Sequence, residues 1–148
     1  MGVTQERGGD RRSQTRDMAE KLLEERREML VRFCRVAGLE PYSCQDPALE
    51  PLSEFCQVLM DYMAFGHFEI YDRISRGEER RASVMTLVEE VYPRVVQTTD
   101  VAVAFNDKYD ASEHPLSLEQ LPKDLSQLGE ELATRIELED RLLAAMMM

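Results

Sequence analysis

The reactive side chains of this sequence are few and their spacing is unhelpful to catalysis. It holds two histidines, His67 and His114, and three cysteines, Cys34, Cys44 and Cys56. A di-iron site in a helical bundle takes Glu-x-x-His from each of two helices, whereas Ala64 and Ala111 stand three residues before these histidines. There is no G-x-S-x-G elbow and no glycine-rich phosphate loop. The cysteines form no C-x-x-C pair; with no signal peptide visible they read as packing thiols of a reducing cytosol. One inward-facing polar set stands out: Arg26, Thr98 and Glu139 fall on helical core positions, with His67 at the margin of its core face. A buried arginine–carboxylate pair beside a histidine has the ingredients of acid–base machinery. The simpler reading is a polar layer that fixes the register of an otherwise apolar bundle. A non-enzymatic protein without metal or cofactor follows, the alternative being a bundle that binds a small ligand or metal through that Arg/His/Glu cluster.

Recognition is the other chemistry on offer, and it centres on residues 55–74, FCQVLMDYMAFGHFEIYDRI. The stretch lacks turn signals and is too polar for a membrane span, so it reads as one helix. At about 100° per residue, Leu52, Phe55, Leu59, Met63, Gly66, Ile70 and Ile74 share a core stripe. Nearly opposite lie Glu54, Asp61, Phe65, Phe68 and Asp72, two phenylalanines bracketed by carboxylates. Asp61, Phe65, Phe68 and Asp72 are therefore the candidate partner-binding residues, unless the helix is central and buried on both sides. Tyr62 and Tyr71 flank the two stripes.

Charge narrows the choice of partner. The net charge is −11, and residues 1–35 hold nine basic against seven acidic side chains, leaving −13 on the remainder. Such a surface repels the phosphates of nucleic acid and anionic lipid and attracts a basic protein. No direct nucleic-acid or membrane binding is expected.

The elements that position these residues are helical throughout. At 148 residues the chain suits one domain with a real core. Residues 1–16 are charged and short of apolar side chains, which reads as a mobile tail before a single domain over 17–148. The first helix is expected from about Asp17 to Ala37, with Gly38 as its stop. Its stripe is Ala19, Leu22, Met29, Phe33 and Ala37, and Arg26 sits in the middle of it and needs a carboxylate. A proline-rich loop leads to the second helix, from Pro51 or Leu52 to Ile74, with a turn at Arg76-Gly77. The third helix is placed at Glu78–Tyr109, kinked at Pro93 but not ended by it, two separate helices being the alternative. The fourth starts at Ser117, where SLEQ matches a capping box, and carries Leu118, Leu121, Leu125, Leu128, Leu132, Ile136, Glu139 and Leu143 inward. Four amphipathic helices on mostly short connections give an all-α, up-down-up-down four-helix bundle.

Several of these segments resemble one family. DYMAFGHFEIYDRI is similar to the D-Y-x-x-x-G-H-F-x-[IV]-Y-[DE] segment of the Rsd/AlgQ family, bacterial regulators of the primary sigma factor. The family's F-C-Q is matched by Phe55, Cys56 and Gln57, its V-Y-P-R by Val91–Arg94, its AFND by Ala104–Asp107 and its L-E-D-[KR]-L by Leu138–Leu142. The first helix is similar to R-W-L-x-x-R-x-x-L-L through Lys21, Leu23, Arg26, Met29 and Leu30, with Leu22 where the family has tryptophan. The resemblance spans about residues 17–145. It implies a cytoplasmic anti-sigma factor that binds the −35-reading, C-terminal DNA-binding region of sigma, with contacts to a second sigma region. It also implies that sigma is thereby withheld from RNA polymerase core and promoter. AlgQ-like members are linked to alginate regulation. By position, Asp61 matches the family's second-helix aspartate set against sigma.

Overall fold

A computed structural model describes residues 3–38, 49–72, 81–110 and 117–147, with side chains described from Ser13 onward in the first segment and from Pro51 in the second. Among the described residues four α-helices build the molecule: α1 (Val3–Ala37), α2 (Leu49–Phe65), α3 (Ala82–Lys108) and α4 (Leu121–Met147). A π-helical segment, Gly66–Tyr71, continues α2 without a break.

Cross-contacts fix the topology. Arg32, near the end of α1, pairs with Glu54, near the start of α2. Phe55 and Tyr71 of the second helix meet Phe105 and Tyr92 of α3 in reversed order. Along α3 and α4, Glu90 meets Arg141 and Tyr109 meets Asp124. Arg26 of α1 reaches Asp140 of α4, and Phe33 lies against Gly129, where an added Cβ would sit 3.1 Å from its ring. Each helix thus runs antiparallel to its neighbours, an up-down-up-down bundle. The core is filled from all four by residues such as Leu22, Met29, Phe55, Leu59, Val91, Ala102, Leu128 and Leu142.

The ends show where sequence rules held and where they gave way. Gly38 closes α1 at φ 73°, and its amide donates to the Arg35 carbonyl; a residue without Cβ takes that left-handed turn at no cost. At its other end α1 begins at Val3, not near Asp17. Extending a helix that already exists adds one hydrogen bond per residue and needs no new nucleus, so the proline-free run before Asp17 stays helical. Packing nonetheless starts late: the first buried side chain described is Met18. The α3 backbone continues through Pro93, whose ring faces solvent.

The fourth helix begins at Leu121, not Ser117. A helix started at Ser117 would require an amide hydrogen from Pro122, which has none. Beginning at Leu121 places the proline in the first turn, where no donor is needed, and Asp124 donates to the Gln120 carbonyl at 2.9 Å. At the opposite end, Arg81 Nη2 donates to the Met146 carbonyl at 2.7 Å, a cation at the negative end of the helix dipole. Met146 is buried and Met147 half-exposed. The expected loop with Cys44, the Arg76-Gly77 turn, Ile74, His114 and Met148 lie outside the described residues.

Candidate protein-binding surface on the second helix

Two separate constellations emerge around the second helix, one inside and one outside. The inner one is a polar layer centred on Glu139, which is wholly buried. Its Oε1 accepts from the Tyr62 hydroxyl and from Arg26 Nη2 at 3.2 Å, and its Oε2 accepts from Arg135 Nε at 3.0 Å. Arg26 also donates through Nη1 to Asp140 at 2.7 Å. Arg135 reaches Thr98 and Thr99 through Nη1 at 3.2 and 2.7 Å and lies over the Tyr62 ring, 5.5 Å from its centroid. Burial, and next the Glu139 charge, push the Tyr62 hydroxyl far above the usual tyrosine range, so it stays a donor. For Arg26, burial opposes the charge, but the Asp140 hydrogen bond and its other neighbours outweigh that and hold the guanidinium protonated.

Gly66 makes room for this layer. A Cβ there would stand 2.9 Å from Arg135 Nη2 and 3.7 Å from Glu139 Oε2. The arginine tip is not free to swing aside, because Nε and Nη1 are held by Glu139 and two threonines.

Arg26, Thr98 and Glu139 therefore come together as their positions on the helices require. His67 does not join them: it is exposed and stands edge-on to Phe68, ring centroids 4.9 Å apart. The reason is the π-helical segment. With more residues per turn than an α-helix, it turns His67, Phe68 and Glu69 outward in succession and Ile70 and Tyr71 inward. Arg135 and Tyr62, absent from the expected set, complete the layer. In α4 Arg135 takes the inward position that apolarity alone assigns to Ile136, which is only half-buried.

The outer constellation is the flank of α2 and its π-helical extension. Asp61 is exposed and Phe68 is 60 % exposed. Phe65 is half-buried and packs on the core at a helix seam. Asp72 is half-buried. Glu54, on the same stripe, is engaged by Arg32 and, at 3.8 Å, by Arg35. The helix is thus not sealed on both sides, and Asp61 with Phe68 offers a carboxylate and a large ring to whatever docks there.

Further apolar side chains stand in solvent: Leu23 and Leu30 on α1, and Tyr92, Val96 and Val103 on α3. Each directly follows a core residue, namely Leu22, Met29, Val91, Val95 and Ala102. Such doublets are visible in a sequence, since a helix that only covers a core needs one apolar residue at those places. Tyr92 joins the second helix through Tyr71, centroids 5.2 Å apart.

Among the described residues no three His, Cys, Asp or Glu side chains converge as a metal-ligand set, and no helix is long and apolar enough to cross a membrane. Cys34 and Cys56 are free thiols. Burial, then the charge of Asp110, pushes Cys56 up to about 11, which makes it a poor nucleophile.

Known proteins resemble this chain over nearly its whole length. The family model described as "Regulator of RNA polymerase sigma(70) subunit, Rsd/AlgQ" matches residues 3–147. The chain belongs to the Rsd/AlgQ family. It is 36 % identical to a "Regulator of sigma D" of Yersinia enterocolitica over 145 residues, 95 % of this chain and 84 % of that protein. A Yersinia pseudotuberculosis protein of the same name is 34 % identical over 145 residues, covering 95 % and 83 %. One from Enterobacter sp. is 32 % identical over 133 residues, covering 86 % and 78 %. No solved structure matches the chain. The family is one of regulators that act by binding another protein, not of enzymes.

Proposed function

We propose that this protein is an anti-sigma factor that binds the primary sigma factor of RNA polymerase and sequesters it stoichiometrically in the cytoplasm. The contact is made by the outer flank of α2 and its π-helical extension, with Asp61 and Phe68 at its centre and Phe65 and Asp72 beside them. The surface engaged is sigma's C-terminal, −35-reading region, a second sigma region adding contacts. A −35-reading domain is a helix-turn-helix that carries arginines for phosphates and base edges. An acidic face with a protruding ring meets that basic surface in place of DNA, which keeps sigma from the promoter and shifts transcription toward alternative sigma factors.

The observation that carries this reading is the exposure of both Asp61 and Phe68 in a chain of net charge −11. Family membership supplies the class of partner. The experiment is co-purification with full-length primary sigma factor and with its isolated C-terminal domain, at two salt concentrations. Both are expected to be retained at low salt and to weaken as salt rises, since exposed charges more than about 10 Å apart are screened at 0.1 M. Retention of full-length sigma but not of the isolated domain would overturn the assignment to the −35-reading region.

A further inference from the structure

The outer face of α3 carries a pattern that the core does not require. Glu89, Tyr92, Val96, Asp100 and Val103 follow one another at intervals of three or four residues, and all five are exposed. Residues so spaced lie along one side of a helix. The core is already served by Val91, Val95, Thr98 and Ala102, so three apolar side chains turned to water add nothing to it. The stripe is also hollowed. Beside Tyr92 and Val96 a cleft of about 230 Å³ opens toward the π-helical segment, with Val95 and Tyr71 in its lining. That is less than the roughly 300–1,000 Å³ of a site for a drug-sized molecule, and it suits a single apolar side chain.

Charge selects the occupant. The two bases of α3 are both drawn to α4, Arg94 to Glu131 and Lys108 to Asp124. Glu90 turns the same way, to Arg141. The stripe itself keeps Glu89 and Asp100 and has no base, in a chain of net charge −11. Two copies of such a face repel each other, whereas lysines and arginines beside an apolar seam complement it. An amphipathic helix laid in a groove presents apolar anchors at the same three- and four-residue spacing.

We propose that the α3 stripe docks a basic amphipathic helix of another protein, one apolar anchor entering the cleft beside Tyr92 and Val96, with Lys or Arg side chains against Glu89 and Asp100. The surface is separate from the α2 flank assigned to sigma, and its test makes no use of sigma. A fluorescent synthetic peptide of about 18 residues, long enough to hold a helix, carries leucines on one face and lysines on the other. Its binding to the full chain is followed by anisotropy, beside a scrambled peptide of the same composition and one with glutamate in place of lysine. The amphipathic lysine peptide is expected to bind saturably, and the other two much more weakly. Val96→Ser together with Val103→Ser should weaken it about ten-fold, and Glu89→Gln with Asp100→Asn about three-fold. All four positions are exposed, so these variants should keep the wild-type circular dichroism. Leu23→Ser on α1 and Asp61→Ala on α2, exposed elsewhere, should leave the affinity unchanged. The proposal fails if the lysine peptide does not bind, if the scrambled or glutamate peptide binds as well, or if the paired serine variant keeps wild-type affinity. A dimer in sedimentation that the serine pair disperses would also overturn it, giving the stripe to a second copy.

Discussion

Glu139 has three donors around a side chain with no solvent contact, and single residues of this layer carry consequences that can be measured. Removing the carboxylate leaves Arg26 and Arg135 buried without their shared counter-charge, a loss that costs about 3–5 kcal/mol when one side of a buried pair is deleted. Glu139→Ala is therefore expected to lower the denaturant midpoint by the equivalent of about 3–5 kcal/mol of unfolding free energy, whereas truncating exposed Glu69 is expected to change it little. Gly66→Ala sets two effects against each other. Alanine gains up to about 1 kcal/mol of helix propensity, but overpacking a held arginine costs about 1–3 kcal/mol. Net destabilisation is expected, read as a lower melting temperature. The arginine–glutamate pair was legible because both residues break an apolar stripe. Arg135 was not, because it lies beside Ile136 and a helical projection gives the inward place to the apolar neighbour. Tyr62 was ambiguous for a similar reason: a tyrosine beside the stripe suits core and surface alike.

At the scale of elements, most helices could be read from their 3.6-residue periodicity, and the errors lie where backbone hydrogen bonding departs from it. The π-helical turn has no apolar pattern of its own. It turns Gly66, Ile70 and Tyr71 inward and leaves His67 in solvent. The late start of α4 was legible in principle, since Pro122 cannot donate, yet the capping-box pattern at Ser117 competed with it. Pro93 offers a direct test of the α3 reading. An interior proline costs a helix about 3 kcal/mol, and its ring is exposed, so little packing is lost with it. Pro93→Ala is expected to raise stability by about 1–3 kcal/mol in chemical denaturation; a loss of stability would show that neighbouring helices are built around a bend at this point.

For the whole molecule, the up-down-up-down bundle follows from four amphipathic stripes, and the acidic balance favours a basic protein over nucleic acid as a direct partner. What no stripe discloses is how much of an outer face stays open, because that depends on how the helices abut. Phe65 and Phe68, three residues apart on the same flank, end up half-buried and 60 % exposed respectively. Electrostatics at the far end of the bundle also gives a pH dependence. Asp124 accepts from Lys108 at 2.7 Å and from the Tyr109 hydroxyl at 2.6 Å, and these hydrogen bonds, Lys108 first, lower its proton affinity. A carboxylate held below its unfolded value contributes stability above the ordinary aspartate range and loses it as pH falls through the folded value. The wild type is thus expected to lose stability in acid more steeply than Asp124→Asn, which should be less stable than the wild type at neutral pH and approach it as pH falls.

In the proposed complex the α2 flank meets sigma through Asp61 and Phe68. Calorimetric titration of the primary sigma factor's C-terminal domain into wild type, Asp61→Ala and Phe68→Ala tests it most directly, with circular dichroism confirming that each variant remains folded. Truncating one partner of a desolvated charge contact costs about 2–5 kcal/mol, and an anchoring ring about 2 kcal/mol or more. Each substitution is therefore expected to weaken binding by roughly thirty-fold or more. Wild-type affinity in both variants would contradict the assignment of this face.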